Sequence, residues 1–132
     1  MERGALQEGT AMQRYELEAW LGDGHGLNED ELTELLDQAN EIEERYPDPD
    51  DQAERAAALT AAYRLMTEPV EDVLADYGKQ RSDARAAASA ASAALQQAAR
   101  TVVAEEKLSE AGFSRVAQVD RMSVRKWVGK RG

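Results

Sequence analysis

The chain has 132 residues, 42% hydrophobic and 32% charged, with no cysteine and a formal net charge of -10. That length holds one compact domain or two very small ones. The missing cysteines exclude a disulfide framework and a thiolate zinc site, and a reducing, cytoplasmic compartment is the expectation.

No apolar run approaches the roughly 20 residues of a membrane span, and no signal-peptide core precedes a cleavage site, so no membrane contact is expected. The charge is divided along the chain. Residues 1–77 carry 21 acidic and 5 basic side chains, net -16, whereas residues 78–132 carry 5 acidic and 11 basic, net +6. A like-charged surface repels itself and serves solubility or steering, so two functional parts are expected. The acidic part is unsuited to a phosphate backbone and the basic part suits it.

Residues 1–10, MERGALQEGT, show little periodicity and are expected to be disordered. In 11–21, Met12, Tyr15, Ala19 and Trp20 fall near helical spacing and predict a short helix. The glycines of GDGHG interrupt it. Asn28 with Glu31 three residues on makes a capping-box pattern, and Leu32, Leu35, Leu36, Ala39, Ile42 and Tyr46 draw an apolar stripe along the next helix. Asp48 followed by Pro49 opens a further helix, whose stripe is Ala56, Leu59, Tyr63 and Met66. Composition rich in Ala, Glu and Leu, with few β-branched runs, predicts an all-α fold.

A long helix is predicted to begin near residues 67–69, with neither glycine nor proline between Lys79 and Gly112. Its alanine-rich middle carries a seven-residue register. One seam is Val70, Tyr77, Ala84, Ala91 and Ala98; the other is Leu74, Arg81, Ala88, Leu95 and Val102. Small seam residues allow close helix approach, and three readings stay open: a coiled-coil homodimer, packing within the chain, or a connecting helix with one weakly buried face.

The closing stretch, LSEAGFSRVAQVDRMSVRKWVGK, carries the most specific pattern. Ser109 can cap a helix over 110–117, Val119 and Asp120 make a turn, and Asp120 can cap a second helix from Arg121 to about Val128. Phe113, Ala117, Val119, Val124 and Trp127 then stand where two short crossing helices need apolar contacts, with Val102 and Val103 as a third wall. Residues 95–131 resemble the helix-turn-helix DNA-binding domains of the resolvase and regulator type found in actinobacterial plasmids and phages. The resemblance implies a supporting helix over 110–117 and a recognition helix over 120–128. Two positions depart from it: Gln118 stands where glycine is usual, and Ser114 where alanine is commoner.

Arg121, Met122, Ser123, Arg125 and Lys126 are not needed for the core of such a unit. Arginine pairs in bidentate fashion with guanine edges, which makes Arg121 and Arg125 candidate base readers. Ser123 and Lys126 are candidates for bases or phosphates, and Arg115, Lys130 and Arg131 for phosphates.

The acidic part carries a second resemblance. YPDPDDQAERAAALTAAYRLMTEP is similar to the J-domain pattern, with Tyr46, Pro47 and Asp48 in the tripeptide, Ala62 and Tyr63 in the second element, and Thr67, Glu68 and Pro69 in the third. Tyr46 replaces the histidine of that tripeptide, and the preceding helix is acidic where J-domains are basic (Glu29, Asp30, Glu31, Glu34, Asp37, Glu41, Glu43 and Glu44). What the resemblance implies is therefore an antiparallel helix pair with a shorter helix resting on it, without chaperone stimulation. A generic helical hairpin with a Pro-Asp loop accounts for the same residues.

Catalysis, metal binding and cofactors find little footing. Asp23 to Glu34 has the length of a calcium loop, but Asn28 falls at its turn-glycine position and Leu27 at a ligand position. His25 is the single histidine, and no phosphate-cradling loop is present. The expected organisation is a disordered 1–10, an acidic helical domain over 11–78, a connecting or dimerising helix over 79–106, and a helix-turn-helix over 107–132. The expected function is sequence-specific binding of double-stranded DNA by a dimeric, non-enzymatic regulator. The acidic domain would oligomerise or bind a protein. An interaction adaptor is the alternative.

Overall fold

A computed structural model describes residues 11–129. The expected disorder of 1–10 and the candidate residues Lys130 and Arg131 lie outside them. The described residues form six α-helices, one 3-10 turn and no strand, an all-α fold. They divide into two compact units, one ending at Asp76 and the other starting at Tyr77, each with its own core.

In the first unit, α1 spans Arg14–Leu21 and α2 spans Glu29–Arg45. Gly22, Gly24 and Gly26 between them sit at φ 77°, 75° and 82°, a left-handed backbone that glycine adopts without a Cβ clash. The α2 capping box is formed as expected: the Glu31 N–H donates to Asn28 Oδ1 at 2.8 Å, and the Asn28 N–H to Glu31 Oε1 at 2.9 Å. The 3-10 turn Pro49–Asp51 precedes α3, Gln52–Thr67, so Asp48 and Pro49 open that turn rather than the helix itself.

Hydrogen bonds from two side chains, Arg55 and Tyr63, set the direction of α3 against α2. Near its start, the Arg55 guanidinium donates to the carbonyl oxygens of Tyr46 and Asp48, the latter at 2.7 Å. Near its end, the Tyr63 hydroxyl donates to the His25 carbonyl at 2.8 Å. The start of α3 thus meets the end of α2 and its end meets the segment before α2, an antiparallel hairpin.

The core between α1, α2 and α3 holds Leu17, Leu32, Leu35, Ala39, Ile42, Leu59 and Ala62, with Met12, Leu21, Leu36, Tyr46, Tyr63 and Met66 packed against it. Leu17 and Leu35 are fully enclosed, and each contributes roughly 1.5–3 kcal/mol by leaving water. The α2 stripe is as its spacing predicts. The face of α1 is not. Leu17 and Leu21 turn inward, while Tyr15 is 71% exposed and Trp20 41%. In α3, Ala62 is buried and Ala56 exposed. On short helices, alanines and amphipathic aromatics leave the buried face undefined until a partner helix is present.

The long helix α4 covers Val70–Ala104 without a break. Arg64 of α3 holds Glu68 at 2.9 Å and Asp76 of α4 at 2.7 Å, tying the end of the hairpin to the first turns of α4. Val73 is buried here, whereas Val70 and Leu74, the expected seam residues, are 54% and 61% exposed. All side chains over 78–94 are exposed. At its end Glu106 takes φ 60°, with the Lys107 N–H bonded to the Val102 carbonyl at 2.9 Å and the Glu106 N–H to the Val103 carbonyl at 3.0 Å. This is the Schellman pattern, which satisfies the last carbonyls and stops the helix.

Candidate nucleic-acid interface

The second unit ends in two short helices, α5 over Glu110–Ala117 and α6 over Arg121–Trp127. Both start on the predicted caps. Ser109 Oγ accepts from the Gly112 N–H at 3.0 Å, and Asp120 Oδ1 from the Ser123 N–H at 2.8 Å. The second bond, with a further one from the Ser123 hydroxyl at 2.9 Å, holds the Asp120 carboxyl below the usual carboxylate range.

Between the helices Gln118 sits at φ 61°, ψ 42°, the left-handed conformation for which glycine is the usual residue. Ser114, the other departure from the motif, supports that turn. Its hydroxyl donates to the Val119 carbonyl, and its own carbonyl accepts from the N–H groups of Gln118 and Val119. The serine thus ties both sides of a turn that lacks its glycine.

Phe113 and Val124 are buried together with Ala99 of α4. Leu95, Ala98, Val103, Ala117, Val119, Trp127 and Val128 pack around them. The expected inward positions of α5, the turn and α6 are those observed. The third wall differs from expectation: it is Leu95, Ala98, Ala99 and Val103, and Val102 is not in this cluster. Ala99 belongs to neither predicted seam. It faces inward because Leu95, Ala99 and Val103 are spaced four apart and share one side of the helix.

Core packing decides which side of α6 is free. At 100° per residue, Val124, Trp127 and Val128 lie on one side, Met122 and Lys126 on the opposite one, and Arg125 on the flank between Met122 and Val128. Met122 is 70% exposed and Lys126 is exposed. Arg125 is partly held, its Nη1 lying 4.0 Å from Oε1 of Glu110, which is itself nearly covered. Arg121 is exposed and borders a cleft of about 390 Å³ shared with Val103, Glu106, Leu108, Ser109 and Glu110. Arg115 is exposed on α5. Ser123 is half-buried and its hydroxyl serves the Asp120 cap, so it is less available for bases or phosphates than its position on α6 suggests.

Of the candidate residues, Met122 and Lys126 therefore share the outward face, with Arg125 on its flank and Arg121 beyond it. Glu110 and Glu106 were not among the sequence-derived candidates. Glu110 follows the Ser109 cap and reads in sequence as an ordinary first-turn acid; its approach to Arg125 needs the two helices to be placed. The arrangement offers guanidinium and ammonium donors around one apolar side chain. Among the described residues no cluster of three or more histidine, aspartate or glutamate side chains is placed to hold a metal ion.

No protein-family model, curated protein or solved structure matches the chain. No helix among the described residues is long and apolar enough to cross a membrane.

Proposed function

We propose that the C-terminal unit binds double-stranded DNA with α6 in the major groove, and that the protein is a non-enzymatic, sequence-specific transcriptional regulator. The observation that carries this reading is the division of labour on α6. Val124 and Trp127 serve the core, which leaves Met122 and Lys126 facing outward, with Arg125 on their flank, on a chain that is otherwise strongly acidic. A solvated surface helix in such a chain would not need its cations gathered there. Arg121 and Arg125 are the base-reading candidates, with Arg115 for phosphates. One such helix touches few base pairs, and a homodimer on two half-sites supplies the rest. The exposed alanine-rich stretch over 78–94 of α4 is compatible with that pairing.

The test is selection of bound sequences from a random DNA pool by the full chain, followed by titration of the winner against salt. An enriched palindrome, with affinity falling by about 0.9 log unit per log unit of salt for each phosphate contact, is the expected result. Arg121→Glu with Arg125→Glu should abolish that binding. Failure to enrich any sequence refutes the reading.

A second reading is an interaction adaptor. It is favoured by an open groove of about 260 Å³ on the acidic unit, whose lining includes Met12, Trp20, Ile42 and Leu59 together with the charged Glu43 and Arg55. The α2–α3 hairpin has the antiparallel arrangement implied by the J-domain likeness, and a generic hairpin shares it. The charge-reversed variant separates the two functions, because it should lose DNA while partner capture by the acidic unit persists.

A further inference from the structure

We propose that Met122 reads the 5-methyl group of a thymine, so that each half-site of the DNA target carries one thymine recognised through its methyl. The inference rests on the DNA-binding reading above and specifies the ligand of the same face.

Met122 lies on the side of α6 opposite Val124 and Trp127, 70% exposed, and shares its face with Lys126 four residues on, with Arg125 on the flank. It has no part in the core around Phe113 and Val124. Nor does it cap the helix, since Asp120 does so through the N–H and hydroxyl of Ser123. A thioether at the centre of a cationic, outward-facing helix surface is thus left without a structural role.

The chemistry of a major groove supplies one. Base edges there present hydrogen-bond donors and acceptors, which the flanking cations can meet, and a single apolar feature, the thymine C5-methyl. Methionine is unbranched and polarisable, so it can follow a methyl group without a preformed pocket. With Arg125 and Lys126 on either side drawn to guanine edges or phosphates, Met122 is the side chain that meets the floor of the groove between them.

The experiment replaces each thymine of the selected site, one at a time, by uracil, which removes the methyl and leaves every hydrogen-bonding group. Full-length wild-type protein and Met122→Ala are titrated against each duplex; Met122 is exposed, so the variant keeps its core. One thymine per half-site should lose about fourfold in affinity for wild type on methyl removal, and roughly fifteenfold when both half-sites are changed, the scale expected for burying one methyl group. Met122→Ala should bind the thymine and uracil duplexes equally. A site whose thymines all tolerate uracil overturns the inference while leaving the DNA reading intact. So does a uracil penalty that persists undiminished in Met122→Ala. If no sequence is enriched at all, the DNA reading fails and the inference fails with it.

Discussion

Gln118 occupies a left-handed backbone position at φ 61° between α5 and α6. For an L-residue that conformation costs roughly 1–2 kcal/mol, part of which is offset because glycine would lose more freedom on folding. Gln118→Gly should therefore stabilise the C-terminal unit by about 0.5–1 kcal/mol, and Gln118→Val should destabilise it. Urea unfolding followed by Trp127 fluorescence in a Trp20→Phe background measures both. Ser114→Ala removes the hydroxyl that donates to the Val119 carbonyl and should cost about 1 kcal/mol. In the Gln118→Gly background that loss should shrink if the serine's role is to hold the strained turn.

Asp120 gives the same unit a pH dependence. Ser123 lowers its carboxyl from the ordinary value, so the folded pKa lies below the unfolded one. The stabilisation is then fully present above the unfolded value, near 3.9, and is lost as pH falls through the folded value. Asp120→Asn keeps a cap without the titration, so its acid limb should be flatter than that of wild type below about pH 4. The three caps at Asn28, Ser109 and Asp120 were legible in the sequence because a cap and its N–H partner lie within three residues. The approach of Glu110 to Arg125 was not, because it joins different helices.

At the scale of elements, legibility follows the amount of apolar signal. The α2 stripe has Leu32, Leu35, Leu36, Ala39 and Ile42 in one line, and its spacing alone located the core. The eight-residue α1 has too few turns to average out its amphipathic residues, and Tyr15 and Trp20 proved more exposed than Leu17. Alanine hides a face altogether, and so the seven-residue register in α4 found Leu95 and Ala98 but also took Val102, and it missed the fully buried Ala99. Ala99→Glu should unfold the terminal unit, since a carboxylate would enter an enclosed apolar site, whereas Ala91→Glu on the exposed stretch of α4 should leave its unfolding unchanged. If Ala91→Glu abolishes self-association while folding is intact, the alanine-rich stretch is the homodimer contact. An unchanged oligomeric state would make that stretch a connector.

Taking the molecule as a whole, two separate cores predict two separable unfolding transitions. Leu35→Ala should lower the first by about 2–5 kcal/mol and leave DNA affinity intact. Phe113→Ala should lower the second by about 3–5 kcal/mol and weaken DNA binding with it. The division of charge predicts a further effect: residues 79–132 alone should bind random DNA more tightly than the whole chain, the difference narrowing as salt rises. Equal affinities at low salt would mean that the acidic unit does not repel DNA.

Composition, charge division, capping residues and the strong stripe of α2 were determined by the sequence itself, because each depends on residues near one another along the chain. The all-α class and the caps of the last two helices followed from these. Tertiary structure decided which alanine of α4 closes the terminal core, that Ser114 supports the left-handed turn at Gln118, and that Arg125 approaches Glu110. These depend on helices meeting across the fold, where local spacing supplies candidates and the shape of the partner surface chooses among them.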